Sequence, residues 1–140
     1  MGAKVRILVT GTRNGFGCDP CLAMEEAMSA AGLGCGAVVE LVHGGANGVD
    51  TESTAWARCW GIPVRVFQAD WKTRGYFAGP IRNGEMVDYC DVMAGSAGDE
   101  APCVCLAFPD QKSKGTWDCV RRAKAAGIRA VVAKIREDEG

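Results

Sequence analysis

The sequence has no long apolar run, no imbalance of charge and one histidine, and each absence removes a class of function. The start, MGAKVRILVTGTRNG, is apolar for only a few residues before Gly11, too short for a signal peptide or a membrane span, so the expected location is the cytoplasm. Its Met-Gly opening does not complete a myristoylation pattern, because Arg6 stands where Ser or Thr is required. Sixteen Lys plus Arg against seventeen Asp plus Glu give a formal net charge of −1, which argues against a nucleic-acid groove or an anionic membrane as partner. Beside Cys18 and Cys21 no second C-x-x-C completes a zinc site, and His43 is alone; no metal and no cofactor are expected. G-x-x-x-x-G-K-[ST] is missing, which excludes a Walker-type nucleotidase, and G-x-G-x-x-G is missing too.

What is present is a 140-residue chain, 48% hydrophobic, enough for one domain with its own core. The eight cysteines read as reduced thiols. Cys103 and Cys105 fall in a strand-like run, and Cys59, Cys90 and Cys119 in helical patterns, as small buried apolar residues do. Cys18 and Cys21 stand at a helix start, where a helix dipole lowers a thiolate pKa.

Strands and helices alternate. KVRILVT (Lys4 to Thr10) reads as a strand, and DPCLAMEEAMSAAG as a helix with Asp19 as N-cap and Pro20 at its first position. AVVELVH is a second strand, VDTESTAWARCWG a helix closed by Gly61, and IPVRVF a third strand. A helix from about Ile81 to Cys90, the strand PCVCLAFP, the helix GTWDCVRRAKAAG and the strand IRAVVAKI complete the pattern, with REDEG as an acidic tail. This order predicts an α/β fold: a Rossmann-like parallel sheet of about five strands with helices on both faces. Ligands of such sheets bind beyond the carboxyl ends of the strands, where strand order reverses. Three glycine-rich segments fall at that edge: GTRNGFG, HGGANG and DQKSKGT. Bare backbone at a strand-to-helix turn admits an anion to free N–H groups, so a phosphate is the expected guest.

VTGTR, HGGANGVD, GIPVRVFQADW, GPIRNGEM and KGTWDCVRRAKAAGI together resemble the SLOG superfamily, specifically the small single-domain proteins called YspA, cpYpsA-related SLOG. The resemblance covers most of the chain, with residues 1–135 as a SLOG-type nucleotide-ligand-binding domain and 136–140 as the tail. It implies binding of a nucleotide or nucleotide-derived ligand by a bacterial or phage protein, and a homodimer or higher homo-oligomer. Relatives include the Lonely Guy phosphoribohydrolases, and some phage proteins of similar fold sequester signalling nucleotides of host immunity. Arg82 and Met86 match the R-x-x-x-M of those hydrolases, which makes Arg82 a catalytic or phosphate-facing arginine. Their P-G-G-x-G-T-x-x-E is matched only by Pro109, Gly115 and Thr116, with Cys119 in place of the glutamate. A thiol does not stabilise an oxocarbenium-like transition state as a carboxylate does. The expectation is therefore a binding protein with no catalytic residue, and a nucleoside-monophosphate N-glycosidase is the alternative, with Asp118 or Glu85 as the substitute acid.

The candidate ligand contacts are Thr10, Gly11, Thr12 and Arg13 in the first loop and His43, Gly44, Gly45, Asn47 and Asp50 in the second. Arg82 and Asn83 follow on a helix, and Ser113, Gly115 and Thr116 close the set. Each has a plainer reading. Arg13 and Asn83 equally suit solvent, Arg82 also has a surface reading, Asp50 suits an N-cap, and Ser113 to Thr116 suit a helix cap. Trp71 and Trp117 flank the same region, as platforms for a base or as packing.

Overall fold

The computed structural model describes residues 3–95 and 101–133; the acidic tail lies outside them. Five strands form one all-parallel sheet: β1 (Val5–Gly11), β2 (Val38–His43), β3 (Val64–Val66), β4 (Cys103–Phe108) and β5 (Arg129–Val132), in the order β3-β2-β1-β4-β5. The helices are α1 (Pro20–Ala30), α2 (Val49–Cys59), the four-residue α3 (Trp71–Arg74), α4 (Ala78–Ala94) and α5 (Lys114–Ala125).

The sheet separates two cores, as a pleat with side chains alternating across it dictates. Val5, Ile7 and Val9 of β1 and Val104, Leu106 and Phe108 of β4 pack with Met24 and Met28 of α1 and Trp56 of α2. Leu8, Val42 and Cys105 point the other way, onto Met86, Val87 and Cys90 of α4 and Cys119 and Ala123 of α5. Helices thus cover both faces, and the chain steps outward from β1 to β3, then returns through α4 to begin β4 on the other side of β1. The reversal of strand order falls between β1 and β4, whose pairing ends at Thr10 with Ala107 and Gly11 with Phe108.

Boundaries differ from the expectation most at three places. Helix α4 begins before Pro80, because a proline in the first helical turn gives up only an N–H that has no intrahelical partner, and it continues past Cys90 to Ala94. The third strand shrinks to Val64–Val66 at the sheet edge, where Arg65 and Val66 are exposed. The last is assigned as Arg129–Val132, and Lys134 and Ile135 lie outside the described residues.

The thiols are all free, but Cys59 is exposed rather than buried. Cys18 and Cys21 do not act as a pair. Cys21 Sγ stands 3.6 Å from Cys59 Sγ, and this contact, with desolvation second, pushes the Cys21 thiol up to about 11 instead of lowering it. Asp19 does cap α1, accepting from the Cys21 N–H at 2.9 Å.

Candidate functional site

A cleft of about 420 Å³ opens at the carboxyl edge between β1 and β4. Its lining includes Thr10 to Arg13 from the end of β1, Asp50 of α2, Arg82 and Asn83 of α4, and Ser113, Gly115 and Thr116 at the start of α5. Gly44, Gly45 and Asn47 line an adjoining hollow of about 210 Å³, which shares Arg13, Ala46 and Arg82 with the cleft. Geometry therefore gathers residues from three loops that lie far apart in the chain.

His43 is the exception, lining neither space. It is 2% exposed, and its ring accepts the Gly45 N–H on Nδ1 at 3.0 Å, so the proton sits on Nε2 and is donated to Thr54 Oγ1 at 2.9 Å. Burial, then the Arg82 charge, lowers its pKa to about 4. The neutral ring props the second loop from below.

The glycines of that loop serve different needs. At Gly48, φ is +89° and a Cβ would stand 2.4 Å from the Arg13 carbonyl carbon and the Thr12 oxygen, so the first and second loops cross backbone to backbone. A Cβ on Gly44 would meet the Arg82 guanidinium. At Gly11 the neighbour is Val49, so this glycine lets α2 pack on the end of β1 while its backbone lines the cleft.

Asp50 is neither the N-cap nor exposed. Gly48 is the N-cap of α2, and Asp50, one residue inside the helix, turns its Oδ2 back to accept from the Gly44 N–H at 3.1 Å and the Ala46 N–H at 3.4 Å. The loop is closed onto a carboxylate that is 5% exposed at the cleft wall. Burial raises its pKa to about 6 even though Arg82 and the two N–H groups pull the other way.

Arg82 clamps the second loop, donating Nη1–H to the Gly44 carbonyl and Nε–H to Asn83 Oδ1. Among the described residues no hydrogen-bond partner is seen for its Nη2, and Arg82 lines the cleft together with Arg13. Asn83 is buried and donates to the Gly115 carbonyl at 3.1 Å and to Asp118 at 3.0 Å, tying α4 to the first turn of α5. It is an internal brace that also lines the cleft.

Sequence reasoning missed the other half of the wall. Asp110 accepts from the Thr12 hydroxyl and from Asn14 Nδ2, and also from the Ser113 hydroxyl and the Lys112 N–H, each at 2.8 Å. These bonds, the Thr12 hydroxyl first, hold its carboxyl down at about 2. Ser113 therefore closes a turn on Asp110 and makes no side-chain cap bond to α5. Lys112 and Lys114 line the cleft beside it. Their signal was positional: residues directly after β4 must face the loop after β1 when the two strands pair.

Neither substitute acid stands in the cleft. Asp118 is engaged by Asn83, Arg121 and Arg122, and Glu85 lies on an outer face 3.6 Å from Arg74. Cys119 is fully buried in the core. Among the described residues no group of three or more His, Cys, Asp or Glu is placed to hold a metal ion, and no helix is long and apolar enough to cross a membrane.

The family model for YspA, cpYpsA-related SLOG matches residues 5–73, the span that builds β1 to β3 and the two loops crossing at Gly48. The Gene 61 protein of Mycobacterium phage D29 is 38% identical over 136 residues, covering 90% of this chain and 94% of the phage protein. The chain belongs to the YspA, cpYpsA-related SLOG family. SLOG membership associates it with nucleotide-related binding or phosphoribohydrolase-like chemistry. No solved structure matches it.

Proposed function

We propose that this SLOG protein binds a nucleotide-derived ligand in the cleft between β1 and β4 and holds it without consuming it. The observation that carries this reading is the meeting of Arg13, Arg82, Lys112 and Lys114 on one cleft beside the backbone at the start of α5. Four cations with free helix N–H groups suit phosphate oxygens. A sponge for signalling nucleotides is the narrower form of this proposal, in keeping with a relative encoded by a phage. The exposed Tyr76 and Phe77 before α4 and Val92 on it support a homo-oligomer, which sedimentation at micromolar concentration reads directly. Native mass spectrometry of freshly purified protein should show a co-purified nucleotide, returned chemically intact after heat denaturation. A protein that carries none, and that gives no heat in titrations with nucleoside mono- and diphosphates at low salt, would sink the reading.

One observation favours the hydrolase as a second reading: Asp50, a carboxylate of raised pKa on the cleft wall. Ionised, it would stabilise an oxocarbenium-like centre while water adds to the anomeric carbon and the base leaves with a proton. Release of free base over many turnovers, lost in Asp50→Asn and kept in Asp118→Asn and Glu85→Gln, would replace the binding-only reading with this one.

A further inference from the structure

Two hollows flank the cleft, and they resemble each other in chemistry. The first, about 210 Å³, joins the cleft at Arg13 and Arg82 and is lined by Trp71 with the carboxamides of Asn47 and Gln68. The second, about 570 Å³, joins it at Lys112 and Lys114 and is lined by Trp117 with the carboxamide of Gln111. They share no lining residue: the first is walled mainly by the segments after β2 and β3, the second by the segment after β4 and the start of α5, and these leave the sheet on opposite sides of β1.

The tryptophans are unlike core residues. Trp71 is 49% exposed and Trp117 47%, whereas Trp56 is fully buried. Trp71 is also seated: a Cβ on Gly79 would stand 3.2 Å from its ring, so α4 fits close against it, and the Arg13 guanidinium carbon is 5.9 Å from its ring centroid. A half-exposed indole beside a cation and a carboxamide offers what a nucleobase uses: a π-face, a charge for the adjoining phosphate, and a donor-acceptor pair for the base edge.

We propose that the ligand is a dinucleotide, with its phosphate bridge in the cleft between the Arg13–Arg82 and Lys112–Lys114 walls, one base on Trp71 and the other on Trp117. This rests on the nucleotide-binding reading and narrows it. A mononucleotide fills the cleft and one hollow; two platforms on different sides call for two bases joined through phosphate.

Calorimetric titration of the full chain at fixed low salt tests this with ADP-ribose, diadenosine 5′,5′-pyrophosphate and cyclic diadenylate. ADP-ribose carries a pyrophosphate and two riboses but one base, so it isolates the second stack. At least one dinucleotide should bind about tenfold or more tightly than ADP-ribose, and which one does so distinguishes a linear from a cyclic bridge. Trp71→Ala and Trp117→Ala should each lower that affinity about tenfold, and the Phe variants should restore most of it, whereas ADP-ribose should respond to only one of the two sites. If ADP-ribose binds and neither dinucleotide binds more tightly, or if both alanine variants leave the dinucleotide titration unchanged, the two-base ligand is wrong and nucleotide binding stands. If the folded protein binds none of the three, the two-base ligand is wrong; if it also binds no nucleoside mono- or diphosphate, both readings fall.

Discussion

The two sides of the cleft each hold an aspartate, and they hold it in opposite ways. On the β2 side Asp50 is buried under the second loop, accepts two backbone N–H groups and has its pKa raised to about 6. On the β4 side Asp110 is half-buried, gathers the Thr12 and Ser113 hydroxyls with two further donors, and is held down at about 2. Hydrogen bonds to a carboxylate favour its charge and desolvation opposes it, so the outcome follows from which dominates. Asp110 is a fixed anion that staples the first loop to the fourth. Asp50 is an adjustable one, at a site where charge is costly, which is the kind of group that functional clefts retain against stability.

The same contrast runs through the glycines, and the largest expected effect comes from there. Gly48→Ala forces a Cβ into the Arg13 and Thr12 backbone at φ +89°, so the loop crossing should open. We expect about 2 kcal/mol or more of lost stability and at least a hundredfold loss of nucleotide affinity, read by denaturant melts and calorimetry. Gly115→Ala, across the cleft, meets no atom within 4 Å and should leave the melt unchanged. If it weakens nucleotide binding all the same, the ligand touches that backbone; equal damage from both substitutions would erase the contrast.

Arg82→Lys removes the planar fork that grips Gly44 at the cleft wall, so binding should weaken more than about tenfold. An unchanged titration would leave Arg82 as a loop clamp alone.

Asp50→Asn keeps an oxygen for the Gly44 and Ala46 N–H groups and discards the charge. A carboxyl whose folded pKa is raised loses stability as pH rises from about 4 to about 6, so the variant should gain about 1–3 kcal/mol at pH 7.5, at least about 3 °C in Tm, and nothing at pH 4. His43 works in the reverse sense: lowered to about 4, it costs stability as pH falls below about 6.5. Tm should therefore rise more steeply between pH 4 and 6.5 in Asp50→Asn than in the parent. Parallel profiles would mean that Asp50 is not carrying the cost.

The smallest effect is expected at Asp110→Asn, where Thr12 and Ser113 keep a neutral acceptor. Nucleotide affinity should fall by no more than a few-fold, and the depressed pKa predicts that its contribution to stability is present at neutral pH and is lost as pH falls from about 4 towards 2. A collapse comparable to Gly48→Ala would show that the fourth loop, not the second, organises the cleft.

Much of the fold was readable because parallel strands and covering helices leave strong periodic runs; β1 is buried throughout and stands out as VRILVT. The edge strand β3 was overdrawn because apolar residues such as Ile62 pack without joining the ladder. Of the residues that line the cleft and its hollow, the glycines stood out by their place after strands and Arg82 by its resemblance to the R-x-x-x-M of the phosphoribohydrolases. Asp110 did not, since its partner Thr12 is 98 positions away and no local pattern records such a pair. His43 was expected among the ligand contacts because a strand end looks alike in sequence whether its side chain faces a ligand or, as here, Thr54. Asp50 was expected at the site, but its acceptance of two loop N–H groups and the shift of its pKa arise from burial and contacts across the loop that no sequence pattern records.

The central position of β1 has a consequence for how the protein is made. This strand leaves the ribosome before the other four, yet its neighbour on one side, β4, ends only at Phe108. At about 5–20 residues per second, the nascent chain spends several seconds or more with VRILVT paired along one edge at most. An apolar, unguarded strand edge is a template for pairing with another chain. Slow synthesis, or a stop before β4, should therefore yield aggregates through β1, and co-expression with a chaperone that shields extended apolar segments should raise the yield of folded protein.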